Sequence, residues 1–122
     1  MSSCGKIFLL TFFIFATGAA ARAQCEEAKT TLQINECFAK ELKKADARLN
    51  RVYRLIQEKL SPEDAALLQK AQRTWVACRD AQCEAERALL DGGTAGPATL
   101  MSCKLELTRK RVAEIKTTYQ SH

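Results

Sequence analysis

Histidine is almost absent from this chain: one copy occurs in 122 residues, and it is the last, His122. That removes the usual base from any Ser–His or Cys–His pair. With no Cys-x-x-Cys either, no zinc-ligand spacing is left. Proline and glycine are scarce too. Pro62 and Pro97 are the only prolines, and no glycine falls between Gly18 and Gly92. No segment alternates with period two, which argues against strands. Carboxylates are plentiful, but pairs such as Glu84 and Glu86 fall on expected exposed faces, and none stands out as a general acid and base. Lysines and arginines are spread over the whole chain among acids, so no nucleic-acid patch forms. These absences describe a non-enzymatic protein with no cofactor and no metal.

The first residues read as a targeting segment. Lys6 gives a weak positive flank, Ile7–Ala16 is an almost continuous apolar run, and Ala21-Arg22-Ala23 offers small residues at the −3 and −1 positions of a cleavage site. That is the layout of a secretory signal peptide over residues 1–23, cut before Gln24. The run is too short for a permanent bilayer anchor, and Gln24 before Cys25 does not suit lipid modification. The remaining 24–122 form one domain by length, destined for the periplasm or the exterior. Lys6 and Arg22 leave with the segment, so the net charge falls from +5 to +3.

Cleavage also removes Cys4 and leaves Cys25, Cys37, Cys78, Cys83 and Cys103. Exported cysteines in a chain this small are most simply disulfide partners. Five is odd, so one is left over, and the sequence does not choose among the pairings. A Cys78–Cys83 bridge is disfavoured, because a spacing of five along a helix does not bring the sulfurs together.

From Thr31 the apolar residues Ile34, Phe38, Leu42, Ala45, Leu49, Val52, Tyr53, Ile56 and Leu60 recur in steps of three and four, predicting one long helix over roughly 31–60. Ser61-Pro62-Glu63-Asp64 restarts the pattern with a cap, a first-turn proline and two acids. A second helix then runs through Leu68, Gln72, Trp75, Arg79 and Cys83 to about Leu90. With so short a connector the two should form an antiparallel hairpin. Asp91–Pro97 is the clearest break, and a third helix follows to about Tyr119. The expected fold is an all-α three-helix bundle.

Gln72, Trp75 and Arg79 share one face of the second helix. Asp46, Asn50 and Tyr53 on the first, with Thr108 and Arg111 on the third, supply polar neighbours. We read the eight as an interhelical polar network with Asp46–Arg79 as its central pair, because a buried guanidinium needs a partner.

Cys25 and Cys37, Asp46-x-x-Leu49-Asn50-x-x-Tyr53, Gln72-Arg73-x-Trp75-x-x-x-Arg79-Asp80-x-x-Cys83, the Gly92-Gly93 loop, Cys103 and Leu107-Thr108-x-x-Arg111 occur together and in order. In this the chain resembles the LprI-like lysozyme-inhibitor domain family, formerly a domain of unknown function, from Cys25 to about Ile115. The resemblance implies a small helical domain of exported bacterial proteins with bridges Cys25–Cys37 and Cys83–Cys103. Cys78 departs from the family pattern and becomes the leftover free thiol, buried as a small apolar residue or linking two copies into a dimer. Lysozyme inhibition by binding is implied as a function. Common lysozymes are strongly basic, so a +3 partner lacks long-range steering, and a local acidic patch at Glu84, Glu86 and Asp91 is the candidate contact. The competing reading is a structural or interaction module that binds an envelope protein or an anionic polymer.

Overall fold

The computed structural model describes Cys4 and residues 25–90 and 92–119. The signal-peptide expectation falls, apart from Cys4, outside them. Three helices make up the described chain: α1 (Thr31–Gln57), α2 (Pro62–Ala88) and α3 (Gly96–Tyr119). None of them is long and apolar enough to cross a membrane.

Each boundary has a local cause. Thr30 caps α1: its side chain accepts from the Gln33 N–H at 3.2 Å, while the Gln33 side chain accepts from the Thr30 N–H at 3.3 Å. This reciprocal box satisfies two of the free donors at a helix start. α1 stops at Gln57, three residues short of the sequence expectation. The residue before a proline is pushed out of the helical region, and Ser61 is indeed extended at φ −58°, ψ 157°. The chain tightens before reaching it: the Lys59 and Leu60 N–H groups donate to the Ile56 and Gln57 carbonyls, three residues back. Ser61 then caps α2 by accepting from the Asp64 N–H at 3.1 Å.

α2 ends in the same way, with the Leu89 and Leu90 N–H groups donating to Glu86 and Arg87. Gly92 follows at φ +73°, a left-handed conformation that a β-carbon would oppose. α3 starts at Gly96, two residues earlier than read, because Pro97 fits a first helical turn, where its missing N–H costs nothing.

The two apolar stripes of the hairpin helices meet mainly through α3, which packs against both. Two apolar clusters result. Leu49, Ile56, Leu68, Trp75, Val112 and Ile115 form one, toward the α1–α2 connection. Cys25, Phe38, Ala45 and Leu105 form the other, toward the opposite end. On α3 the buried residues are Gly96, Cys103, Leu105, Thr108, Val112 and Ile115. A helix touching two neighbours must bury a broader face than a stripe for one, and Thr108 lies within that face.

Candidate functional site

Arg79 lies where the two apolar clusters abut. Its residue is 9% exposed, and its guanidinium bonds three partners. Nη1 donates to Asp46 Oδ1 at 3.0 Å and to Thr108 Oγ1 at 2.9 Å; Nε donates to Asp80 Oδ1 at 2.9 Å. Lys104 adds a second cation 3.4 Å from the same Asp80 oxygen. One side chain therefore ties all three helices together. The order along the chain explains the layering. On α1, Asp46 sits between Ala45 and Leu49; on α2, Arg79 sits between Trp75 and Cys83; on α3, Thr108 sits between Leu105 and Val112. Each helix places one polar group at the same level and apolar groups on either side.

Trp75 is buried, with the Arg79 and Arg111 guanidinium carbons 5.4 and 5.6 Å from its ring centroid. Both distances lie within cation–π reach. Arg111 is held there by donating from Nε to Gln72 Oε1 at 3.1 Å and by an ion pair with Glu114 at 3.1 Å. The structure thus brings Asp46, Gln72, Trp75, Arg79, Thr108 and Arg111 together.

Two members of the expected network stand outside it. Asn50 is exposed, with no side-chain hydrogen bond to a described residue, and Tyr53 packs its ring on the first apolar cluster. Both line an open groove of about 540 Å³ between α1 and α2. The correction has a simple cause. Asn50 lies one turn beyond Asp46, at the edge of the buried face, and α2 does not come close enough to cover it.

Two disulfides close local loops: Cys25–Cys37 at the start of α1 and Cys83–Cys103 across the α2–α3 loop, with Cα separations of 5.9 and 5.6 Å. Cys78 is not free. It is bonded to Cys4 with Cα atoms 5.9 Å apart, and no free thiol remains among the described cysteines. The sequence reading of Cys78 as a leftover thiol concerns residues 24–122, after Cys4 has left with the signal segment; in the whole chain Cys4 is its partner. In the whole chain Cys78 also has no thiol to offer a second copy.

The acids proposed as a partner contact are only partly available. Glu84 accepts from Arg87 Nε at 2.7 Å, and Glu86 accepts weakly from Gln82 at 3.4 Å. Asp91 lies outside the described residues. The sequence reading missed their apolar neighbours: Leu89 is 81% exposed and Leu90 is 38% exposed at the end of α2. A signal was present, since two leucines directly before a glycine-rich break have no helix left to bury them.

One carboxyl is clearly perturbed. The hydrogen bond from Lys44 holds Glu41 below the usual carboxylate range, burial opposes this, and the charges of Lys44 and Arg109 add to the lowering. Among the described residues no cluster of three His, Cys, Asp or Glu side chains is placed to hold a metal.

Comparison with known proteins bears directly on this arrangement. The family described as lysozyme inhibitor LprI matches residues 21–115. The chain belongs to the LprI family. The Trp75–Arg79 layer, both loop-closing disulfides and the exposed end of α2 all fall inside the matched region. An uncharacterized protein of Rhizobium meliloti (strain 1021) is 37% identical over 110 residues, covering 80% of this chain and 79% of that one. No solved structure matches. Within this LprI domain, Gln72, Trp75 and Arg79 of the Gln72–Cys83 segment are engaged in contacts between helices.

Proposed function

We propose that this LprI-family protein is exported and inhibits a lysozyme by binding, presenting the α2–α3 loop as its contact. The observation that carries this reading is the exposed Leu89–Leu90 pair at the end of α2, braced by Cys83–Cys103 and flanked by Glu84 and Glu86. Apolar side chains in contact with water on a loop held rigid by a disulfide lose little entropy on binding. Nearby carboxylates suit a basic partner even when the overall charge does not. Export is supported by the Ile7–Ala16 run and the Ala21-Arg22-Ala23 cleavage pattern, by a family match that begins at residue 21, and by disulfides, which persist in oxidising compartments. Inhibition would then act by occlusion of the bound lysozyme.

The test is residual muramidase activity with excess protein, across several lysozyme types. Inhibition of at least one type is expected, lost in L89D/L90D while its thermal melt stays that of the parent. No inhibition of any type removes the reading. Inhibition unchanged in L89D/L90D moves the contact away from this loop.

A further inference from the structure

At the α1–α2 connection the three helices leave an open groove of about 800 Å³. Its α1 side carries Arg48, Arg51 and Leu55, at i, i+3 and i+7, one line on a helix, with Lys59 in the tightened turn just beyond α1. Lys116 and Tyr119 of α3 face it, and Val52 and Leu60 lie at its base. Arg48, Arg51, Lys59 and Lys116 form no ion pair with any described residue. The other α3 cations, by contrast, each lie within 3.4 Å of a carboxylate: Lys104, Arg109, Lys110 and Arg111. The one acid in the groove, Asp64, accepts from Ser61 Oγ at 2.9 Å as part of the α2 cap.

Cations near a helix C-terminus are ordinarily explained by the macrodipole, but that effect fades within the last turn. It covers Lys59 and Lys116. It does not cover Arg48 and Arg51, which lie a turn or more inside α1. The apolar half is equally unusual: Leu55 is 50% exposed in the midst of these cations. Long basic side chains that lay their methylenes along an apolar strip and hold their charges at its rim are arranged for an interface between water and hydrocarbon.

We propose that this groove seats an anionic phospholipid at a membrane surface. The phosphate sits among Arg48, Arg51, Lys59 and Lys116, and the glycerol and upper acyl carbons lie on Leu55, Val52, Leu60 and Tyr119. A soluble polyanion would use the charges and leave Leu55 without a function; a lipid uses both halves. The α2–α3 loop is at the opposite end of the bundle, so a chain lying on a membrane by this groove keeps that loop directed away from it. The inference does not depend on lysozyme binding.

The test is co-sedimentation of the protein recovered from the envelope fraction of expressing cells, with vesicles of phosphatidylcholine alone or mixed with phosphatidylglycerol. Binding to the mixed vesicles only is expected, weakening as salt rises. R48Q/R51Q should bind them about thirtyfold more weakly, the effect of two basic residues lost at an anionic surface. K40Q/K43Q removes the same charge from α1 outside the groove and should bind nearly as the parent does. L55S leaves the charge unchanged and should also lose binding. These variants differ only at the groove or its control positions, so any contribution from the rest of the chain cancels in the comparison. Equal loss in K40Q/K43Q and R48Q/R51Q, parental binding by L55S, or equal binding to phosphatidylcholine alone overturns the proposal.

Discussion

Arg79 and Thr108 meet at 2.9 Å in the least exposed part of the molecule, where Thr108 has no solvent-accessible surface. Asp46, on the other side of the same nitrogen, is 43% exposed at its side chain. The neutral contact is therefore the dry one, and the ion pair is the wet one. Removing a partner from a buried donor costs about 1–3 kcal/mol, whereas a solvent-screened ion pair contributes about 1 kcal/mol or less. Thr108→Val should thus destabilise the protein more than Asp46→Asn. Urea denaturation of both variants checks the order, and a larger loss in D46N would show that the charge dominates.

Reduction of Cys83–Cys103 should act on stability and on the proposed contact together. A bridge closing 20 residues is worth about 3 kcal/mol in the chain-entropy treatment. C83S/C103S should lose roughly that amount in chemical denaturation and also lose muramidase inhibition at temperatures where it stays folded. C25S/C37S, which opens a 12-residue loop at the start of α1, should lose comparable stability and keep inhibition, because Leu89 and Leu90 are not part of that loop.

The state of Cys78 reports processing. The whole chain bonds it to Cys4, and cleavage before Gln24 would remove Cys4. Alkylation under denaturing, non-reducing conditions, read by mass spectrometry, should label no cysteine in the unprocessed chain and one, Cys78, in the exported form. A processed chain starting at Gln24 with no labelled cysteine and double the mass would show that Cys78 links two copies instead.

Glu41 gives the fold an acid-sensitive component. Its folded carboxyl ionises below 4.5, its ordinary value, so folding favours the charged form. That contribution is complete above the unfolded pKa and is lost as pH falls through the lower, folded one. Glu41→Gln should therefore reduce stability at neutral pH and flatten its decline from about pH 4.5 downward. Thermal melts across that range check the slope.

Much of this was legible in the sequence, and what was not has a common cause. Helix type and order follow from unbroken three-and-four spacing, with Ser61-Pro62 and Gly92-Gly93 as punctuation. The level at which Asp46, Arg79 and Thr108 meet was also readable, because each sits between apolar neighbours on its own helix. Periodicity gives a helix its buried side but not how many neighbours share that side. α3 packs on two helices, so its buried face is broad and takes in Cys103, Leu105, Thr108, Val112 and Ile115. α2 leaves a groove against α1, so Asn50 stayed in water. The basic groove was not legible, because one-dimensional spacing does not reveal that Lys116 comes from another helix to stand near Arg48 and Arg51. The Cys4–Cys78 bond was not legible for a different reason: Cys4 is 74 residues away, in a segment assigned to removal.

The hydrogen-bonded level between the two apolar clusters also sets how the helices align lengthwise. Apolar contacts tolerate sliding, since one leucine serves nearly as well as the next. A one-turn slip of α3, about 5.4 Å, would take Thr108 away from Arg79 and set Val112 or Lys104 in its place, giving a buried guanidinium a hydrocarbon or a second positive charge. Arg79 thus works as an index pin beside the Cys83–Cys103 bridge one turn away: together they set which turn of α3 faces which turn of α2. That fixes how far the glycine loop projects beyond the end of the bundle.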